Sequence, residues 1–374
     1  MLGPQKILVA LVTWGPKPFA REEVQRTVAE ADAFYRKQSF GKASLVPTVT
    51  PWLTAYNGPP ACVANSIREP GEAALRAAGY DPRAYDVVVY LHPDAGCPWS
   101  GATYAGVVFL NGAITKHLIS HELGHAFGLP HANTTSCIRH SCVTLEYGDP
   151  YDTMGSGDGD FSAFAKARLG WITQVTRVKR AGTYTLDPLE QPASGSQAFV
   201  VTTAQDQYWI EDRTTAAGVL VHVSPSPDLR TPVAGNSFNA LVTDPAGRGR
   251  AQLRAGDRFQ DPGVFRVTVL RSATSARLRF TWLDGTPPSA PHITSSVVDG
   301  QVRVDVDPGR ENGSGIARYR VTLDGGRSLS VEPDLTYEPI RVGRPLPGTH
   351  TVRVVAFDRA GNRSSAVVQT VHVR

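Results

Sequence analysis

The sequence predicts an α/β domain at the N-terminus followed by two all-β sandwich domains. Strand-like apolar runs alternate with helical periodicity over residues 1–110, which is typical of α/β domains. Beyond Trp171 only short β-patterned runs separated by turn residues remain, and residues 286–288, Thr-Pro-Pro, have the composition of a stiff linker. A chain of 374 residues is long enough for two or three domains. We therefore expect domains at residues 1–175, 176–285 and 286–374.

Each element of the first domain follows from a local pattern. The run at 7–12 is continuously apolar and predicts a buried strand. The segment 21–39 predicts a helix because its apolar residues share one stripe at helical spacing. Further strands are predicted at 43–49, 85–91 and 107–110, and further helices at 71–78 and 115–127.

The two β domains are predicted from short alternating runs at the spacing of all-β units. The expected strands before the linker lie at 183–186, 199–203, 208–211, 219–223, 264–270 and 276–282. Those after the linker lie at 301–306, 317–323 and 349–357. This second spacing suits an immunoglobulin-like or fibronectin type III-like sandwich.

Composition and charge exclude several classes of protein. Hydrophobic residues make up 41% and charged residues 19%, a globular composition rather than a disordered one. The net charge of +4 is scattered without a run of Lys and Arg, so no nucleic-acid partner is expected. No stretch approaches the ~20 apolar residues of a membrane span.

The four cysteines indicate the redox compartment in which the protein is found. An even number of cysteines suits two disulfides and an oxidising compartment, whereas four free thiols is the alternative. From their order along the chain we predict the pairs Cys62–Cys97 and Cys137–Cys142. We expect a secreted, extracellular protein whose signal peptide is not present in this chain.

Residues 121–131, His-Glu-Leu-Gly-His-Ala-Phe-Gly-Leu-Pro-His, carry the strongest functional signal. His121 and His125 are four residues apart, so on a helix both imidazoles project from one face and can bind one ion. Gly128 can adopt the left-handed conformation and end the helix, which lets His131 supply a third nitrogen. Three neutral nitrogens leave one zinc position open for water, as a catalytic site requires.

Glu122 lies at the edge of the same helix face, where its carboxylate can reach the water without binding the ion. The alternative is a solvated helix face, because a five-residue His-Glu-x-x-His pattern also occurs by chance. The eleven-residue form is far more restrictive, and a Met-containing turn at 151–155 completes the set.

Residues 121–131 followed by Met154 resemble the metzincin metallopeptidases, and most closely the gametolysin-like peptidases within that clan. The second resemblance rests on residues 146–155, on Leu-Gly-Trp at 169–171 and on Ser-Phe-Gly-Lys at 39–42. Together the matching segments cover the region of residues 1–175.

The resemblance implies a metzincin catalytic domain, a twisted mixed sheet with helices. It implies that His121, His125 and His131 bind zinc, with Glu122 as general base. Met154 is then an apolar support beneath the metal rather than a ligand. The strand predicted at 107–110 corresponds to the metzincin sheet edge that pairs with an extended substrate. Some metzincins have a zinc-binding Tyr two residues after the Met, but this chain has Ser156 there, so no such ligand is expected.

Two further groups are candidates for metal binding. His117 lies one turn before His121 on the same face, but a hydrogen-bonding role is favoured because His131 completes the site. Asp158 and Asp160 could bind a structural Ca²⁺ through oxygen, although a turn is the favoured alternative because the segment lacks the bidentate Glu of a full calcium loop.

These observations predict a secreted zinc endopeptidase that hydrolyses extended protein or peptide substrates and acts as a monomer. A non-peptidase zinc hydrolase is one alternative, and a pocket closed at both ends would favour it. An extracellular adhesion or binding protein with a vestigial metal site is the other. The β domains are expected to be spacers or substrate-positioning modules.

Overall fold

A computed structural model describes residues 1–138, 141–225, 239–272, 274–333 and 338–374. The chain is rich in β-structure, with mixed sheets and few helices. It divides into two compact units. The first comprises Met1–Val175, Leu189–Gln197 and Phe238–Leu241, and the second comprises Thr176–Pro188, Ala198–Ser237 and Val242–Arg374.

All four α-helices of the described residues lie in the first unit. They are α1 (Arg21–Gln38), α2 (Ala64–Ala77), α3 (Lys116–Ala126) and α4 (Ala163–Arg168), and a 3-10 turn spans Pro82–Ala84. The predicted stripe of α1 is its buried face. Across the described parts of the chain, no helix has both the length and the apolar character needed to cross a membrane.

A six-stranded mixed sheet lies at the centre of the first unit. Its strands are β1 (Gly3–Thr13), β2 (Ala43–Val49), β3 (Leu53–Thr54), β4 (Val87–His92), β5 (Gly101–Tyr104) and β6 (Val107–Asn111). The order across the sheet is β2-β1-β4-β6-β5, with β3 paired to β1. β1, β2, β4 and β6 are parallel, whereas β5 pairs antiparallel with β6.

The sheet is covered on both faces, which explains the continuous apolar run of β1. The odd-numbered residues 7–11 pack with side chains of α1 and α3 in one core cluster. The even-numbered residues 8–12 pack with side chains of α2 in a second cluster. Since α3 lies on one of these faces, the sheet fixes the position of residues 116–126.

The expectation that 107–110 forms the sheet edge is wrong. This segment, β6, lies between β4 and β5, and the edge strand is β5. Residues 108–111 of β6 are buried. A run of apolar residues fits an interior strand, which is covered on both faces, better than an edge. The open edge is instead a short Gly-Ala-Thr-Tyr segment.

An antiparallel hairpin of β7 (Ala132–Ile138) and β8 (Ser141–Leu145) follows the histidine motif. Its register places the Cα atoms of Cys137 and Cys142 opposite one another. The side chains of these two cysteines lie outside the described residues, so their predicted pairing stays a prediction. The predicted Cys62–Cys97 disulfide is confirmed.

The second unit begins with two sheets that enclose one apolar core over residues 178–282. The strands that follow β8 are β9 (Val175–Arg177), β10 (Gly182–Leu186), β11 (Ala198–Thr202), β12 (Asp206–Arg213), β13 (Gly218–Pro225), β14 (Asn239–Val242), β15 (Arg258–Asp261), β16 (Phe265–Arg271) and β17 (Ala276–Trp282). One sheet has the order β10-β17-β16-β15, and the other contains β13-β12-β11-β9. β14 has most of its residues in the first unit, where it lies beside β7.

A separate core over residues 293–373 lies between two further sheets. The strands are β18 (His292–Val298), β19 (Gln301–Asp307), β20 (Ile316–Leu323), β21 (Ser328–Val331), β22 (Ile340–Gly343), β23 (Gly348–Asp358) and β24 (Val367–Val373). Their orders are β18-β19-β22 and β21-β20-β23-β24. Alternation of buried and exposed residues along β19 and β24 shows that one face of each sheet packs on this core.

Candidate metal centre

Helix α3 positions the first two histidines of the motif. It begins after Thr115, whose side-chain oxygen accepts a hydrogen bond from the N–H of Leu118 at 3.1 Å. It ends where Gly128 adopts a φ of +89° and the N–H of Leu129 donates to the carbonyl of Gly124 at 2.9 Å. The chain then reverses and brings residue 131 back towards the helix.

The three motif histidines form a cluster that could hold a metal ion. One ring nitrogen from each of His121, His125 and His131 lies within 4.8 Å of the others. The Nε2 atoms of His121 and His125 are 3.1 Å apart. A single ion between them would therefore have three imidazole ligands, the donor set that zinc favours in catalytic sites.

The second nitrogen of each imidazole has a partner that fixes the ring. Nδ1 of His121 donates to the carbonyl of Thr153 at 2.9 Å, and Nδ1 of His125 donates to the carbonyl of Leu129 at 2.8 Å. Nδ1 of His131 donates to Oε1 of Glu146 at 2.7 Å. Because these oxygens only accept hydrogen bonds, the protons are on Nδ1 and each Nε2 keeps a free lone pair.

Burial keeps His121 and His125 in the form that binds metal. It lowers the pKa of His121 to about 3, although the hydrogen bond to Thr153 opposes the shift. It also lowers the pKa of His125. Neutral imidazole is the form that binds metal, so these two ligands are ready at neutral pH without losing a proton.

Glu122 is buried beside the cluster and held by the edge strand. The hydroxyl of Thr103, on β5, donates to Oε2 of Glu122 at 2.7 Å and lies 2.9 Å from its carbonyl. A Cβ at Gly101 would come within 2.6 Å of Oε1, so β5 approaches this carboxylate closely. Burial raises the pKa of Glu122 to about 7, and the Thr103 hydrogen bond acts in the opposite direction. Such a group can accept and release a proton near neutral pH.

Met154 lies buried against α3. A Cβ at Gly124, inside the histidine motif, would overlap the sulfur of Met154. The carbonyl of Met154 accepts the N–H of Ala132 at 2.9 Å, and its own N–H donates to Oδ1 of Asp152 at 2.8 Å. The turn at 151–155 therefore packs beneath α3 and beside the residue that follows His131.

Sequence reasoning missed three residues around this cluster. Thr103 and Glu146 are the hydrogen-bond partners described above, and Tyr147 packs its ring on His131 with ring centroids 3.8 Å apart. Glu146 and Tyr147 were within a segment that carries a family resemblance, but no role was predicted for them. Spacing could not find Thr103, which lies 19 residues before Glu122.

The other predicted candidates lie outside the cluster. The ring centroid of His117 is 6.0 Å from that of His121, and Nδ1 of His117 lies 3.9 Å from Oδ1 of Asp158. Asp158 forms an ion pair with Lys116 at 2.6 Å. Among the described residues, Asp158 and Asp160 lie in neither of the groups of three His, Cys, Asp or Glu side chains that could hold a metal ion, and the possible Ca²⁺ there stays a prediction.

A second potential metal-binding group lies in the second unit and was not predicted. Oxygens of Asp284, Glu311 and Asp358 lie within 4.8 Å of one another. Burial raises the pKa of Glu311 and of Asp358, and the carboxylate of Asp284 adds to both shifts. The N–H of Ser314 donates to Asp284 and the side-chain amide of Asn362 donates to Asp358, each at 2.8 Å. Protein donors thus offset part of the negative charge.

Comparison with known proteins supports a metallopeptidase family. The model of the gametolysin peptidase M11 family matches residues 33–210, a range that contains all residues of the histidine cluster and its partners. A search of curated proteins finds no match.

Solved structures show only weak similarity. The spore cortex lytic enzyme SleM of Clostridium perfringens is 15% identical over 27% of this chain and 34% of that chain, with a TM-score of 0.21. The PKD1 domain of the Vibrio cholerae metalloprotease PrtV is 15% identical over 24% of this chain and 98% of that chain, with a TM-score of 0.20. The PKD domain of the human VPS10 domain-containing receptor SorCS2 is 29% identical over 24% of this chain and 76% of that chain, also with a TM-score of 0.20.

Proposed function

We propose that this chain is a secreted zinc-dependent endopeptidase of the metzincin type. The observation that carries the proposal is the convergence of one ring nitrogen from each of three histidines, whose rings are each fixed through Nδ1, beside the buried carboxylate of Glu122. The match to a metallopeptidase family supports the peptidase part of the proposal.

The donor set fits zinc. His121, His125 and His131 would bind the ion through neutral nitrogens, which leaves one coordination position for substrate or water. Zinc, when bound, supplies Lewis-acid polarisation of the scissile carbonyl and lowers the pKa of water. Glu146 and the carbonyls of Thr153 and Leu129 keep the three rings in the orientation that binding requires.

Glu122 is the proposed general base. Its carboxylate takes a proton from the attacking water and passes it to the nitrogen of the leaving amine. Thr103 holds one oxygen, Oε2, through a 2.7 Å hydrogen bond, so the other oxygen, Oε1, is the one left to move the proton. Met154 supports α3 from below through its contact at Gly124.

An extended polypeptide is the proposed substrate class. β5 is the outer strand of the sheet, pairs only with β6 within it, and contacts the general base through Thr103. An extended peptide can add as a further strand to such an edge, through hydrogen bonds to its backbone, and this recognition tolerates many side chains.

We further propose the domain organisation 1–175, 176–285 and 286–374, with residues 1–175 as the catalytic domain. The two β domains act as spacers or substrate-positioning modules of a monomeric protein. Secretion is supported by the Cys62–Cys97 disulfide, since such bonds persist in oxidising compartments.

The test compares Glu122→Ala with His125→Ala. The protein should bind one zinc per chain and cleave an unfolded polypeptide. Glu122→Ala should keep its zinc and lose activity by at least about 10²–10⁴-fold, since proton transfer is removed while all three ligands remain. His125→Ala should lose both zinc and activity.

Zinc content and hydrolysis are measured side by side for both variants. Near-normal turnover by Glu122→Ala would place the base elsewhere. A zinc-loaded protein that cleaves small amides or esters but no polypeptide would favour the non-peptidase hydrolase, and one that cleaves nothing would favour a binding protein.

A further inference from the structure

A single turn presents two consecutive side chains to His131. Residues 145–148 form the turn after β8, closed by a hydrogen bond from the N–H of Gly148 to the carbonyl of Leu145 at 3.2 Å. Glu146 accepts a hydrogen bond from Nδ1 of His131 at 2.7 Å. Tyr147 packs its ring against the same imidazole, with centroids 3.8 Å apart. This turn is therefore part of the metal centre, although it follows the histidine motif by 14 residues or more.

Tyr147 occupies a backbone conformation that a tyrosine disfavours. Its φ is +58°, in the left-handed region where Cβ crowds the following carbonyl. The N–H of Tyr147 donates to Oδ1 of Asn133 at 3.1 Å, which helps to hold the conformation. Glycine is the usual residue at such a position. Strained residues of this kind persist where the surrounding structure imposes them, and they cluster at functional sites.

The ring of Tyr147 contacts more than one histidine of the cluster. It stacks on His121 as well, with centroids 5.7 Å apart and an interplanar angle of 26°. The residue is 44% exposed, whereas His121 and Glu122 are buried. A tyrosine hydroxyl is a hydrogen-bond donor at neutral pH. The hydroxyl of Tyr147 lies within electrostatic reach of the carboxylates of Glu146 and Glu122.

A purely structural role would not need the hydroxyl. Packing on His131 requires only a ring, and phenylalanine supplies the same ring. Tyr147 is partly exposed and contacts His121 and His131, whereas Met154 is buried against Gly124 of α3. Of these two neighbours of the cluster, Tyr147 is the one that a substrate can reach. A hydroxyl donor held there can contact the reacting carbonyl.

We propose that Tyr147 is a catalytic residue whose hydroxyl donates a hydrogen bond to the scissile carbonyl oxygen as negative charge develops on that oxygen. The inference rests on the proposed peptidase function. The O–H bond of Tyr147 stays intact throughout, and the proton that moves is the one carried by Glu122. The turn at 145–148 thus orients a ligand with one residue and stabilises the transition state with the next.

The first test is Tyr147→Phe, which keeps the ring and removes the donor. We expect kcat to fall by about 10²-fold, in line with the loss of one donor to a developing oxyanion, with little change in KM. Zinc content and the unfolding temperature should stay at their wild-type values. Tyr184→Phe is the matched control, because its hydroxyl donates to the carbonyl of Arg180 in the second unit and its loss should leave kcat unchanged.

The second test concerns the backbone. Tyr147→Ala and Tyr147→Gly both lack the ring, but only glycine adopts positive φ freely, so the Gly variant should unfold at the higher temperature of the two. Both should show a kcat at least as low as that of Tyr147→Phe.

Three outcomes would overturn the proposal for Tyr147 alone. They are wild-type kcat in Tyr147→Phe, a loss of zinc in that variant that accounts for its lower activity, and a rise in KM with kcat unchanged. A wild-type protein that binds zinc but cleaves no peptide would instead overturn the proposed function, and the role of Tyr147 with it.

Discussion

Two opposing effects set the pKa of Glu122. Burial raises its pKa to about 7, and the Thr103 hydrogen bond favours the charged form and limits that rise. A base with a pKa near the working pH combines a useful deprotonated fraction with sufficient basicity. The hydrogen bond also fixes Oε2 at 2.7 Å from the Thr103 hydroxyl, so orientation and basicity depend on one side chain of β5.

Thr103→Val should lower kcat by about tenfold, since it keeps the branched shape of the strand residue but loses a hydrogen bond to a charged group. Thr103→Ser keeps the hydroxyl and should retain most of the activity. Zinc content should be unchanged in both variants, because the hydrogen bonds described for the Thr103 side chain involve Glu122 and none of the three histidines. Steady-state kinetics on a peptide substrate provide the measurement.

The effect of Thr103→Val should disappear in a Glu122→Ala background, because the hydroxyl acts through that carboxylate. An equal loss in both backgrounds would mean that Thr103 contacts the substrate directly, and equal activity of the Val and Ser variants would remove the positioning role.

At the scale of elements, the packing of α3 on the turn at 151–155 requires a residue without a side chain at position 124. Gly124 brings the helix into contact with Met154, and a Cβ at this position would overlap the sulfur. Both residues belong to the buried interior, where overpacking forces side chains and backbone apart. The glycine inside the histidine motif is thus a packing requirement of the fold.

Gly124→Ala should destabilise the protein by about 1–3 kcal/mol through this overlap. Gly58→Ala is the control, because a Cβ there meets no atom within 4 Å and the glycine has no positive φ. Urea unfolding of both variants measures the difference. If Gly124→Ala matched Gly58→Ala in stability, Met154 would not pack against α3 as described.

Elements with strong local patterns could be predicted from the sequence, and those that depend on partners could not. The predicted helix at 115–127 agrees with α3 and its caps at Thr115 and Phe127. The start of α2 was predicted at 71 but lies at Ala64, because Pro70 lies inside the helix and interrupts its pattern. β5 was missed, since a four-residue segment that begins with Gly-Ala is too short to show a pattern, and it forms a strand through pairing with β6.

In the candidate site, too, the residues close together in the sequence could be predicted and those brought in by distant elements could not. The three histidines and Glu122 lie within eleven residues, so helical spacing and one turn are enough to bring them together. Thr103 and Tyr147 reach the cluster from β5 and from the turn after β8, through sheet pairing and a hairpin that carried no predicted strand. The segment 107–110 was assigned to the sheet edge from the family resemblance, whereas its apolar run is typical of an interior strand.

At the scale of the whole molecule, the Cys62–Cys97 disulfide joins segments 35 residues apart. It connects the chain just before α2 to the loop just before β5. A crosslink over such a loop stabilises mainly by restricting the unfolded chain, and its typical contribution is about 2–4 kcal/mol.

Replacing both residues, Cys62→Ser with Cys97→Ser, should therefore lower the free energy of unfolding by about 2–4 kcal/mol. The midpoint of urea unfolding under oxidising conditions measures the change. Treating the wild-type protein with a reductant should lower the midpoint at least as far, since it would also open the predicted Cys137–Cys142 bond. An unchanged midpoint in both experiments would show that the bond is not formed in the purified protein.

The open edge at β5 has a consequence for self-association. An unpaired strand edge can also accept a strand from another copy of the same chain and begin aggregation. β5 is four residues long, which corresponds to about 13 Å of extended backbone, and it begins with glycine. That length provides only a few ladder hydrogen bonds, enough to align a passing segment of unfolded chain but a poor template for a fibril. The short edge therefore limits aggregation while it remains accessible to a substrate.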